Sequence, residues 1–201
     1  QFDLEFSDQI DVEMKKGSSE LNDKVTTKLF EQGTSMCLYL SSYTQKSSNN
    51  AVRILIKDTS SQQTLFEKEF VYPATFSLEQ THRIADELVL ALTGEQGPML
   101  STLAYSKQLT SKHKVICLAD YSCMVEKTVV GTKTINVAPC WHNKAPMLFY
   151  SQFTRSNSRL MAYDIKTKKH KIVCSYDGLN MQPSFSPDGS KAALCLSGKG
   201  N

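Results

Sequence analysis

The chain repeats itself at a spacing of 44 residues, and this period restricts its fold more than any other feature. Pro139 and Pro183 are 44 residues apart, as are Trp141 and Phe185, Asp120 and Asp164, and Asn136 and Asn180. Each aspartate precedes its proline by 19 residues. With a one-residue slip, Leu103-Ala104-Tyr105-Ser106 matches Leu148-Phe149-Tyr150-Ser151. Residues 98–201 carry no helical period; short apolar segments alternate with polar turns, which leaves a sandwich, a barrel or a propeller. A period in the low forties holds four strands, the size of one propeller blade.

Turn chemistry supports the phase of the repeat. Ser186-Pro187-Asp188-Gly189 sets Pro, Asp and Gly where a type I turn favours them, between an inner strand ending at Phe185 and a strand over residues 191–196. The equivalent turn, His142-Asn143-Lys144-Ala145, has lost Pro and Gly. One complete blade then runs from Ala138 through Phe149, Met161 and Ile172, and a half-blade covers residues 183–196. Before them, residues 102–107, 114–120 and 125–130 supply three strands but no inner strand. About two and a half blades cannot close a ring of four to eight. The chain is therefore expected to be a fragment of a larger ring, with exposed strand edges that associate in solution.

Residues 1–97 read differently, as a small α+β domain ahead of the all-β blades of 98–201. Leu21, Val25 and Leu29 mark a short amphipathic helix stopped at Gln32-Gly33. Residues 36–40, the alternating Val52, Ile54 and Ile56, and residues 65–72 predict three strands, joined by turns at 47–50 and 58–63 as an antiparallel meander. Phe2 to Phe6 is a further candidate strand. Ser77 with Gln80 forms a capping box for a second helix. Its apolar stripe is Ile84, Leu88 and Leu92, supported by Ala85 and Ala91, and Gly94 ends it.

The order of these features resembles the TolB family, periplasmic propeller proteins of the Tol–Pal system. The likeness rests on a helix ending in Leu92-Thr93-Gly94, a strand with Leu103-Ala104-Tyr105, and the motif from Pro183 to Lys191, and it spans residues 34–201. The motif alone occurs in many propellers, including those of peptidases. The resemblance implies a non-enzymatic scaffold without cofactor, in the periplasm, supporting outer-membrane integrity and cell division. It implies a Pal-like lipoprotein as partner, bound at one mouth of the propeller. By motif phase the contacts fall on Leu179, Asn180, Met181 and Gln182, and on the repeat-equivalent Asn136, Val137 and Ala138. A TolA-like inner-membrane protein would engage an N-terminal segment of the family that nothing in this chain matches. The worn turn at residues 142–145 departs from the family motif.

Composition narrows the alternatives. Net charge is +3 and the lysines are spread along the chain, which argues against a nucleic-acid partner. The densest basic stretch, Lys166, Lys168, Lys169, His170 and Lys171, reads as a solvated strand edge. No apolar run reaches the roughly 20 residues of a membrane helix. The four histidines lack metal-ligand spacing, and the six cysteines form no CxxC pair and read as buried or half-buried thiols. Gly-x-Ser-x-Gly and Walker motifs are missing. Asp120 and Asp164 end the same strand of successive blades, Trp141 and Phe185 pack between blades, Glu67 and Glu69 face water, and His142 is expected on an exposed turn. The rival reading is the propeller of a larger serine peptidase of the prolyl-oligopeptidase type; a weaker one is a sensor propeller with a small ligand in its channel.

Overall fold

The computed structural model describes residues 23–44, 49–72 and 77–198. The chain forms two compact units, Gln1–Leu100 and Ser101–Asn201. In the first, α1 (Asp23–Glu31) precedes strands β1 (Met36–Thr44), β2 (Asn50–Asp58) and β3 (Thr64–Tyr72), then α2 (Leu78–Thr93). The strands pair as the expected antiparallel meander, β1-β2-β3. Ile54 and Ile56 are buried on one face of β2, as their alternation requires. On the opposite face Arg53 bonds Glu67, and both remain exposed. The β2–β3 turn closes on Asp58, whose carboxylate accepts from the N–H groups of Ser60 (2.9 Å) and Ser61 (2.7 Å). The candidate strand at Phe2 to Phe6, Leu21, and Ser47 and Ser48 of the 47–50 turn lie outside the described residues.

Helix α2 begins as its sequence dictates: Ser77 Oγ accepts from Gln80 N, and Gln80 Oε1 accepts from Ser77 N at 2.8 Å. Gly94 ends it in the left-handed region, φ 76°. The buried face is rotated from the one its apolar residues mark. Leu92 is only half-buried and Ala91 is exposed, whereas His82, Asp86 and Val89 join Ile84, Ala85 and Leu88 inside. The cause is the returning chain. Asp86 accepts from Met99 N (2.8 Å) and Leu100 N (3.0 Å), pulling that segment onto the helix. Gly97 fits there because it lacks a side chain: a methyl group would sit 2.3 Å from Asp86 Oδ1.

The second unit follows the repeat. Strands β4 (Thr102–Thr110), β5 (His113–Asp120) and β6 (Glu126–Val130) form a three-stranded blade. Strands β7 (Ile135–Trp141), β8 (Met147–Phe153), β9 (Ser158–Asp164) and β10 (His170–Cys174) form a complete antiparallel blade. Strands β11 (Asn180–Phe185) and β12 (Ala192–Leu196) form a hairpin in the half-blade phase. A single parallel bridge, Lys114 to Ile135, joins β5 to β7. The core between the first two blades holds Ile116, Val130, Leu148, Tyr150, Met161 and Tyr163, with Trp141 against it. Phe185 packs on Phe149 with ring centroids 4.7 Å apart, so both repeated aromatics fill space between blades.

The repeated aspartates act as hairpin caps. Asp120 accepts from Ser122 N (3.0 Å) and Val125 N, and Asp164 from Lys166 N (2.8 Å) and Thr167 N (3.0 Å). These backbone bonds, led by that of Thr167, hold the Asp164 carboxyl below the usual carboxylate range. All six cysteines are free; Cys117 is buried and Cys37, Cys140 and Cys174 are half-buried, but Cys123 and Cys195 are exposed, against the expectation for them.

Candidate functional site

Residues 136–138 and 179–182 enter the first strands of successive blades. Asn136 and Asn180 are both fully buried. Asn180 Nδ2 donates to Tyr176 O (2.8 Å) and Ser158 O (3.0 Å), with Gly178 O at 3.3 Å, while its Oδ1 accepts from Tyr176 N at 3.0 Å. Asn136 Nδ2 donates to Lys114 O (2.8 Å) and Thr132 Oγ1 (3.0 Å), with Thr134 O at 3.5 Å. Lys114, Thr132 and Thr134 stand 44 residues before Ser158, Tyr176 and Gly178. Equivalent amides therefore join equivalent positions twice, tying the first strand of a blade to the start of β5 or β9 in the blade before. A buried amide needs several partners at once, and only this loop shape supplies them. The Asn136 and Asn180 side chains are thus committed to the fold.

Their neighbours have other environments. Leu179 is 41% exposed, Gln182 is exposed, and Met181, Val137 and Ala138 are half-buried. Gly178 holds this entry in place: it has φ +92°, and a methyl there would collide with Ser197 O at 1.9 Å. Leu179 N donates to Ser197 Oγ at 3.0 Å and Ser197 N to Leu179 O at 3.2 Å. Ala138 (φ 52°) and Gln182 (φ 50°) both lie in the left-handed region. Each stands immediately before its repeat's proline, and strand pairing shifts register there in both blades. Proline has no N–H for the ladder, so the strand bulges at that point. A non-glycine residue in this conformation costs about 1–3 kcal/mol and persists only where the surroundings impose it. The repeat missed by residue-type reasoning is this backbone one; its sequence signal is the phased proline.

At the other end of the blade, His142 is half-buried instead of exposed. Its Nδ1 accepts from Lys144 N (3.0 Å) and Ala145 N (2.9 Å), so the ring proton lies on Nε2, which donates to Gly189 O at 3.1 Å. The ring packs 4.7 Å from Phe185. Asn143 Nδ2 adds a bond to Ser186 O at 2.8 Å. The two equivalent turns, one of which has lost Pro and Gly, are therefore joined to each other. The 186–189 turn has the expected closure, Gly189 N to Ser186 O at 2.8 Å. Among the described residues, no three His, Cys, Asp or Glu side chains converge as a metal site, and no helix is long and apolar enough to cross a membrane.

A family model described as "TolB beta propeller domain" matches residues 89–201. The "Tol-Pal system protein TolB" of Rickettsia prowazekii (strain Madrid E) is 28% identical over 153 residues, covering 75% of this chain and 34% of that protein. The protein of the same name from Rickettsia rickettsii (strain Sheila Smith) is 29% identical over 147 residues, covering 69% and 33%. The chain thus spans about a third of the length of the curated relatives it matches. The crystal structure of TolB from Acinetobacter baumannii matches 100% of this chain and 51% of its own, with a TM-score of 0.84 at 24% identity, a likeness of fold.

Proposed function

We infer, since this chain belongs to the family of TolB β-propeller domains, that it is a non-enzymatic binding scaffold of a Tol–Pal system. It works in the periplasm, binds a Pal-like lipoprotein, and supports outer-membrane integrity and cell division, with a TolA-like inner-membrane protein as second partner. The observation that carries the contact site is the repeated left-handed bulge beside a buried amide joint. Asn180 fixes the backbone, and Leu179, Met181 and Gln182 are the side chains left for a partner. Rigid presentation of a few exposed groups lowers the entropy lost on association. Val137 and Ala138 are the equivalent pair one blade earlier. The relatives' names lend no support to the prolyl-oligopeptidase alternative.

The test is a calorimetric titration of the full-length protein with a soluble Pal-like domain. Met181→Arg combined with Gln182→Arg should weaken binding by about tenfold or more, as for residues central to an interface. The urea midpoint should move little, since Gln182 is exposed and Met181 is only half-buried. Unchanged affinity would remove these residues from the site.

A further inference from the structure

We propose that the end of the second unit opposite Asn136 and Asn180 is a docking surface for an anionic phospholipid bilayer. This goes beyond the binding of a protein partner. Strand β7 is antiparallel to β8, and β8 to β9, so β7 and β9 run the same way; β5 runs parallel to β7. Strands β5 and β9 therefore end together, at Asp120 and Asp164, and the hairpins that follow emerge from one side of the sheet.

Both hairpins are closed by backbone bonds and turn through a left-handed residue. Cys123 N bonds Asp120 O, and Lys168 N bonds Asp164 O at 2.8 Å. Cys123 (φ 57°) and Lys168 (φ 58°) hold the same left-handed corner. Their tips differ in chemistry. The first presents Met124, 73% exposed, and Val125, 59% exposed. The second presents Lys166, Lys168 and Lys169, all exposed, with Lys171 just beyond. Among the described residues Lys168, Lys169 and Lys171 form no ion pair. Ile165 N bonds Pro146 O at 3.0 Å, which brings the turn bearing Lys144 to the same end.

Guarding a strand edge would account for a lysine within β10. It does not account for lysines in the turn ahead of the strand, nor for an apolar tip at the same end of the unit. Paired in this way, the two tips match a bilayer: the thioether and isopropyl groups enter the headgroup boundary while the ammonium groups meet lipid phosphates. A net charge of +3 on the whole chain is too low for general affinity to polyanions, so the attraction is local.

Sedimentation with phosphatidylcholine vesicles containing about 30 mol % phosphatidylglycerol, at about 0.05 M salt, tests this. The 201-residue chain should bind these vesicles, release at about 0.5 M salt, and ignore pure phosphatidylcholine. The triple variant K166Q/K168Q/K169Q should bind on the order of 100-fold more weakly, at roughly fivefold per lysine. M124S/V125S should lose about tenfold through its apolar contact. All these side chains are exposed, and far-ultraviolet circular dichroism checks that the variants fold. Equal binding to both vesicle types, or native affinity in the lysine variant or the serine variant, would overturn the proposal. So would a chain that ignores the vesicles yet is retained by a polyglutamate resin, which would point to an acidic protein partner.

Discussion

Replacing Asn180 by alanine tests the joint between blades. The side chain satisfies one carbonyl in full burial, Ser158 O at 3.0 Å, and both backbone groups of the more open Tyr176. Alanine leaves Ser158 O unpaired, at about 1–3 kcal/mol, and exchanges the two Tyr176 bonds for water at about 0.5 kcal/mol each. The expected loss is about 3 kcal/mol. Asn180→Asp has nearly the same shape but sets a carboxylate against three carbonyl oxygens, those of Ser158, Tyr176 and Gly178, so at neutral pH it should be less stable than the alanine variant. Protonation restores one donor; the folded state therefore favours the acid form, and the aspartate variant should lose stability as pH rises above about 4. Trp141, the single tryptophan, lies in β7 and reports on this unit by fluorescence during urea unfolding. A loss below about 1 kcal/mol for the alanine variant, or an aspartate variant no weaker than alanine at neutral pH, would refute the role given to this amide.

Gly189 and Gly33 both have positive φ, but a methyl at Gly189 would sit 2.6 Å from His142 Cε1 whereas Gly33 has nothing within 4 Å. In urea unfolding Gly33→Ala should cost about 1 kcal/mol, the backbone strain alone, and Gly189→Ala clearly more. Hydrogen bonds from Ser186 and Ser190 hold the Asp188 carboxyl down at about 2. Its contribution to stability should be complete above about pH 4 and vanish as pH falls through about 2. A carboxyl carbon titration by nuclear magnetic resonance with a midpoint near that of a free aspartate, about 3.9, would contradict the turn geometry.

Much of the fold is legible because it depends on local chemistry. The capping box at Ser77 and Gln80, the meander, and the closure at residues 186–189 need only neighbours in sequence. What sequence reasoning misses depends on groups brought in from afar. His82 and Asp86 are polar, so the buried face of α2 cannot be read until the segment at 97–100 is known to return. His142 resembles a solvated turn residue until the turn 44 residues later supplies Gly189 O. By motif phase Asn136 and Asn180 fall among the expected contacts, and their burial adds a structural role that their repetition already pointed to. The two aspartates recur for a structural reason, and the two asparagines do as well. The chemistry of the hairpin tips is plain in the sequence, but only the strand directions set Met124 and the lysines at the same end.

The asparagine joints also bear on how such a protein emerges during synthesis. Each amide reaches back only 22 residues, to Lys114 or to Ser158. Closing so short a loop costs little chain entropy, and it needs nothing that comes later in the chain. Each blade can therefore be fastened to its predecessor as soon as its first strand is free to fold. Growth by such nearest-neighbour steps resembles the zipping of a linear array, with low contact order at every step.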